Sequence, residues 1–272
     1  MNDTVSLDEK YDRLIKFIGG VNSAAVAFSG GVDSSFLCHA AVSALGGGAI
    51  AVTIVSPMLP QSELDCAKQI AALTGIKHIL VNEDHIDEEV AANPRERCYH
   101  CKKKEFGKII ETALEYGAKT VFDGSNMDDL NDYRPGLRAL AELRVCSPLR
   151  EAGLNKAEIR ELSKRFALPT WNKPAFACLA SRIPYGERID RQKLSRVEKA
   201  EDLLRAEGFV QFRVRSHGDI ARIEVAREER GRFFDGEALD RISAGIKGLG
   251  FLYAALELEG YAMGSLNRTR ET

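Results

Sequence analysis

The sequence has no long apolar run. None approaches the ~18 residues that a membrane-spanning helix requires, which excludes a transmembrane bundle. The opening segment, MNDTVSLDEKYDRLIKF, interleaves acids with bases and holds no apolar stretch of signal-peptide length. There is no basic excess. Lys+Arg at 38 against Asp+Glu at 40 leaves a net charge of −2, which argues against a surface built to wrap nucleic acid. There is no second Cys-x-x-C, no Gly-Lys-Ser/Thr after the glycine turn that would make a Walker A loop, no internal repeat and no low-complexity segment. The expected compartment is the cytoplasm, where the six cysteines (Cys38, Cys66, Cys98, Cys101, Cys146, Cys178) stay reduced. A cysteine pair there points to metal or redox chemistry before a disulfide.

What is present is an ordinary globular balance, 44% hydrophobic and 29% charged over 272 residues, enough for one large domain or two modest ones. Residues 5–18 have helical spacing. VNSAAVAF (21–28) is a short apolar strand entering a glycine turn, and 32–45 is a buried helix stopped by Gly46, Gly47 and Gly48. AIAVTIVS (49–56), KHILVN (77–82) and KTVFDGS (119–125) are further strands, separated by helices over 60–73 and 102–116. This alternation predicts an α/β fold, a parallel sheet with helices on both faces and ligands at the carboxyl ends of its strands.

Residues 125–152 are loop-rich, with a short helix around 136–143, and 154–168 form an amphipathic helix with Asn155 as its cap. PTWNKPAFACLASRIPYG (169–186) has three prolines and little periodicity. Then 190–207 is helical, 210–225 alternates as two strands around His217-Gly218, 227–247 is helical and 250–261 is a last strand. The expected organisation is an α/β domain over 1–168, a linker over 169–186 that also contributes to a site, and a small α+β domain over 187–272. Residues 267–272 are expected to fray.

SGGVDS (29–34) lies between a strand and a helix. Gly30 and Gly31 let the backbone approach a ligand, and the helix N-terminus with the Ser29 and Ser34 hydroxyls makes an anion nest. A plain helix-capping turn is the alternative. Asp33 favours the phosphate reading, because a carboxylate beside phosphates needs a cation, and Mg²⁺ is the natural one. The segment resembles the PP-loop of the adenine-nucleotide α-hydrolase superfamily. That resemblance implies ATP bound by its β,γ-phosphates, attack at the α-phosphate and departure of pyrophosphate.

DGSNMDDLNDYRPG (123–136) follows another strand end. Asp123, Asp128 and Asp129 are candidate Mg²⁺ ligands, with Asp128 preferred, and a solvated acidic loop is the alternative. Lys156 follows SPLREAGLN. It resembles the lysine after the Pro-Leu segment of PP-loop enzymes and is a candidate phosphate contact, against an ordinary exposed lysine.

Cys98 and Cys101 can hold one metal or one edge of a cluster. Cys178, in the non-periodic segment, is the third candidate, and three ligands leave one position open, as reactive sites do. Three unrelated thiols is the competing reading. Cys38, Cys66 and Cys146 suit burial as small hydrophobes.

Taken together, SGGVDS, NPRERCYHCK, DGSNMDD, SPLREAGLNKAEIR, KPAFACLASRIPYG, the RVR strand and the closing LELEGY resemble the LarE family of ATP-dependent sulfur transferases over nearly the whole chain. The resemblance implies a small-molecule mononucleotide substrate, pyridinium-3,5-biscarboxylic acid mononucleotide, a precursor of the nickel-pincer nucleotide of lactate racemase. Its carboxylates would be adenylated and converted to thiocarboxylates. In one branch of the family a cysteine at the place of Cys178 surrenders its own sulfur. In the other, three cysteines hold a 4Fe–4S cluster that delivers sulfide. Cys98, Cys101 and Cys178 place this chain with the second. The family further implies a homo-oligomer, with a hexamer as one form, and a sulfur donor system. An anionic substrate calls for cationic residues, and Arg182, Arg213 and Arg215 are the candidates. Arg213 and Arg215 share one strand face.

A tRNA thiolation enzyme is the nearest rival. The missing basic excess and the missing second Cys-x-x-C count against it. A nucleotide-binding sensor without chemistry is another, and it would need neither Asp33 nor the cysteine pair.

Overall fold

A computed structural model describes residues 5–131, 135–174 and 177–262. Residues 267–272, expected to fray, lie outside the described residues, as do parts of two motifs, 132–134 and 175–176. Along the chain run α1 (Leu7–Gly19), β1 (Ala24–Ala27), α2 (Val32–Leu45), β2 (Ala49–Val55), α3 (Gln61–Thr74), β3 (Lys77–Asn82), α4 (Glu88–Ala91), α5 (Arg97–Glu115), β4 (Thr120–Phe122), α6 (Pro135–Glu142), α7 (Pro148–Glu151), α8 (Lys156–Arg165), α9 (Arg191–Ala206), β5 (Phe212–His217), β6 (Ile220–Val225), α10 (Gly236–Gly248) and β7 (Tyr253–Leu256).

The chain divides into two compact units, Met1–His85 with Glu96–Phe176, and Ile86–Arg95 with Ala177–Thr272. The 169–186 segment is thus split between them, and a short excursion before α5 belongs with the second unit. Hydrogen bonding explains that assignment. Buried Asn93 donates from its side chain to the Pro184 and Glu187 carbonyls at 2.7 and 3.0 Å. The Gly186 N–H donates to the Asn93 carbonyl at 2.9 Å, and the Ile189 N–H to that of Ala91 at 2.8 Å.

In the first unit the strands lie in the order β3-β2-β1-β4, all parallel, as the alternation predicts. The period-2 pleat sorts β1 between two cores. Ala24 and Val26 join Leu14, Ile18, Phe36, Leu37, Ile159 and Leu162 on one side. Ala25 joins Phe106, Ile109 and Ala113 of α5 on the other. Capping boxes start α1 (Ser6 with Glu9) and α8 (Asn155 with Glu158). Because β1 and β4 are neighbours, with Val26 opposite Phe122, the turns after both strands emerge side by side. Cys146 adds a single parallel bridge to Phe122.

In the second unit β5 and β6 pair antiparallel and β6 and β7 parallel, with α9 packed on β5 through a stripe that includes Leu194, Val197 and Leu204. β7 is shorter than the 250–261 stretch suggests. Among the described residues no helix is long and apolar enough to cross a membrane.

Candidate active site

The turn after β1 is shaped by Gly30, which has φ +74°. A Cβ there would stand 2.7 Å from the Glu63 carbonyl oxygen and 3.1 Å from the Ala67 nitrogen, so the loop packs on the backbone of α3 in a way only glycine permits. Gly31 caps α2, and the Ser35 N–H to Gly31 carbonyl bond, 2.9 Å, is the first of the helix. The N–H groups of Gly31, Val32, Asp33 and Ser34 precede any intrahelical acceptor, so they form a fan of donors at the positive end of the helix. The Ser29 and Ser34 hydroxyls lie 3.2 Å apart and brace the turn.

Asp33 is partly buried. Its Oδ2 accepts from Lys156 Nζ at 2.6 Å, while its Oδ1 has no hydrogen-bond partner among the described residues. Desolvation pushes its carboxyl above the ordinary range. Lys156 opposes that, the Asp129 charge adds to it, and Arg160 opposes it. An orphaned carboxylate oxygen with a second carboxylate near by is a hard-oxygen donor set suited to Mg²⁺, whose remaining ligands come from phosphate and water. In the acidic turn, the Asp129 charge adds to the rise of the Asp33 carboxyl. Asp128 Oδ2 accepts instead from the Lys156 backbone N–H at 2.9 Å and docks the start of α8 onto this turn. Asp129 Oδ2 in turn accepts from the Asn126 N–H at 2.9 Å. Buried Asp123 accepts from the Ser147 hydroxyl at 2.5 Å and from the Ser125 N–H at 3.1 Å, which makes it a brace for the turn. Gly124 stands against the loop, where a Cβ would come 3.2 Å from the Ser34 nitrogen.

Sequence reasoning missed Lys173, Glu63 and Arg160. Lys173 Nζ donates to the Gly30 carbonyl at 3.0 Å and to Glu63 at 2.9 Å. Arg160 donates to the Trp171 and Lys173 carbonyls at 2.6 and 2.7 Å and so fixes the path of that segment. No periodicity or turn signal in WNKP indicates where the lysine points. Its place in a proline-broken segment already suspected of serving the site is the only hint.

Cys98 and Cys101 lie within the first turns of α5, not before it, one turn apart on the same face. Near them, desolvation raises the Glu105 carboxyl, which Lys102 and Cys101 oppose. Cys178 belongs to the second unit, where it is exposed and caps a 3₁₀ turn, Leu179–Arg182. Among the described residues no group of three or more His, Cys, Asp or Glu side chains is placed to hold a metal ion. Cys38 is buried as expected, and burial drives its thiol far above the usual range. Partly buried Cys66 turns its thiol to the Gly30 carbonyl at 3.5 Å. The thiol of Cys146, also partly buried, is raised by burial and by the Glu151 and Asp123 charges.

The second unit gathers Arg182, Arg213 and Arg215 around Glu201 and Glu224. Arg182, expected to line a substrate pocket, has no exposed surface. Its guanidinium forks onto Glu201 at 2.8 and 2.9 Å and donates to the Ala177 and Cys178 carbonyls at 2.6 and 3.0 Å, so it holds the Cys178 turn in shape. Arg215 forks onto Glu224 at 3.1 and 3.0 Å and reaches the Ser181 carbonyl at 2.7 Å. Burial, together with the neighbouring Arg182, lowers Arg213 to about 10. Arg222 also donates to Glu224 at 2.9 Å and to Glu257 at 2.6 Å, so four cations around three carboxylates leave positive potential in a largely buried setting.

Residues 22–107 match the asparagine synthase family. Over 263 residues the chain is 43% identical to an uncharacterized protein of Synechocystis sp., covering 96% of this chain and 98% of that one. It is 34% identical over 266 residues to the pyridinium-3,5-bisthiocarboxylic acid mononucleotide synthase of Lactiplantibacillus plantarum, covering 97% and 96% of the two chains. An uncharacterized protein of Methanocaldococcus jannaschii is 29% identical over 236 residues, covering 87% and 89%.

Proposed function

The chain belongs to the LarE-type family of PP-loop, ATP-using sulfur transferases, and from that premise we propose that it adenylates the carboxylates of pyridinium-3,5-biscarboxylic acid mononucleotide and replaces the activated oxygen with sulfur. The observation that carries this reading is the fan of α2 amides beside an Asp33 oxygen that has no hydrogen-bond partner among the described residues.

A carboxylate resists attack because its leaving group would be oxide. Adenylation substitutes AMP as the leaving group. The Gly31–Ser34 amides take up the charge of the departing pyrophosphate. Asp33, with Asp129, is the pair to hold Mg²⁺, which when bound neutralises phosphate charge. Lys156, which is paired with Asp33 in the free protein, is within reach to contact phosphate. The cationic cluster of Arg182, Arg213 and Arg215 supplies the potential that favours an anionic mononucleotide, and Arg182 also orients Cys178. Cys98, Cys101 and Cys178 are the thiols that would hold a 4Fe–4S cluster, which when bound would supply deprotonated sulfide; in the alternative, Cys178 would give up its own sulfur. A donor system reloads the first. The protein works as a cytoplasmic homo-oligomer.

The test is incubation of anaerobically reconstituted protein with Mg²⁺, ATP and the dicarboxylate mononucleotide. AMP, pyrophosphate and a product heavier by the oxygen-to-sulfur exchange are expected. Formation of ADP and phosphate, or nucleotide turnover indifferent to the mononucleotide, would overturn the reading.

A further inference from the structure

The carbonyl of Gly30 is gripped from the side of α3. Lys173 donates to it at 3.0 Å and the Cys66 thiol approaches it at 3.5 Å. Lys173 is itself held by Glu63 at 2.9 Å, and neither side chain is more than slightly exposed. Arg160 anchors the backbone of Lys173 through its carbonyl at 2.7 Å. This chain of contacts converges on one peptide group, the link between Gly30 and Gly31.

A trans peptide is planar, and its C=O and N–H point in opposite directions. The peptide bonds among the described residues are all trans. Holding the Gly30 carbonyl toward Lys173 therefore aims the Gly31 N–H the other way. That N–H is the first of the α2 donors that have no intrahelical acceptor. Glycine at both positions leaves the peptide free to rotate, since neither residue has a Cβ to oppose a flip. Something outside the loop must choose the orientation. With the carbonyl reversed, an oxygen rather than a hydrogen would face the nucleotide phosphates and repel them.

We propose that Lys173 is a positioning residue for the nucleotide: buttressed by Glu63, it pins the Gly30 carbonyl so that the Gly31 N–H faces the anion nest. The inference rests on the reading of the loop as an ATP site. It does not depend on the substrate carboxylate or on sulfur, so its test uses nucleotide binding alone.

The experiment compares Mg²⁺·ATP and adenosine affinities by calorimetry for the wild type, Lys173→Met, Lys173→Arg and Glu63→Gln, with thermal unfolding of each as a fold check. Lys173→Met should weaken ATP at least tenfold and leave adenosine, which makes no use of the loop, unchanged. Lys173→Arg should recover most of the ATP affinity by donating to the same carbonyl. Glu63→Gln separates positioning from direct contact. If Lys173 acts by pinning Gly30, loosening its buttress weakens ATP; if it acts by swinging onto the phosphates, its release from Glu63 strengthens ATP. Equal losses for ATP and adenosine, unchanged ATP affinity in Lys173→Met, or tighter ATP binding in Glu63→Gln would each overturn the proposal. A failure of thiolation with these binding results intact would count against the proposed reaction and not against Lys173.

Discussion

Lys156 Nζ donates to Asp33 Oδ2 at 2.6 Å, although 123 positions separate the two in sequence. The pair joins the start of α8 to the start of α2, and it offsets part of the desolvation that raises the Asp33 carboxyl. Asp33 must be ionised to hold a cation. Lys156→Met removes the opposing charge, so the carboxyl rises further. Mg²⁺·ATP binding should then weaken with falling pH at a higher pH than in the wild type. Affinity titrations across the acid range check this, and an unmoved acid limb would mean that Asp33 is not the controlling group.

Asp33 also makes a prediction about stability. Between the ordinary carboxylate value and the raised folded value, the native state binds more protons than the unfolded chain. Stability therefore falls as pH rises through that window, and above it the ionised carboxylate is a burden on the protein. Asp33→Asn should unfold at a higher temperature at neutral pH while losing AMP formation. The gain should fade as pH drops below the folded value, where the wild-type carboxyl is protonated. Calorimetry over a pH series measures it, and a lower melting temperature at neutral pH would contradict the sign.

Arg182 and Glu201 form a buried fork in the second unit, with the Val214 N–H also donating to Glu201 at 3.1 Å. Arg182→Met would strand a buried carboxylate and free the Cys178 carbonyl. Loss of one partner of such a pair costs about 3–5 kcal/mol. Urea unfolding should show a loss of that order, and a change below about 1 kcal/mol, the scale of an exposed pair, would mean that the fork carries little.

Cys178 separates the two chemical stages. Cys178→Ala should keep substrate-dependent pyrophosphate release and lose thiolation, because adenylation makes no use of the thiol. If the cysteine is a cluster ligand, anaerobic iron analysis should show a reduced load in the variant, and the mass of wild-type Cys178 after turnover should be unchanged. A normal iron load in the variant removes it from the ligand set, and conversion to dehydroalanine assigns it the role of sulfur source.

Much of the first unit was legible in the sequence because its signals are local. A short apolar strand, two glycines and a following helix suffice to place SGGVDS at a strand tip, and Asn155 with Glu158 marks the start of α8 from four adjacent positions. The start of α5 was harder to place. Arg97 and Cys98 carry no capping signature, so the Cys-x-x-C fell outside the expected helix although it lies within it. The 250–261 stretch predicts a longer strand than β7, because an apolar run does not show where hydrogen-bonding partners stop.

The sequence by itself determined the element types, the parallel α/β class and the residues capable of phosphate, cation and sulfur chemistry, since periodicity and side-chain chemistry are properties of neighbouring residues. Tertiary structure alone decided which of them meet. It put Lys156 on Asp33, turned Lys173 onto the Gly30 carbonyl and buried Arg182 against Glu201. Those pairings are set by strand order and by the packing of segments distant along the chain, and no local pattern encodes the direction in which a long charged side chain will find its partner.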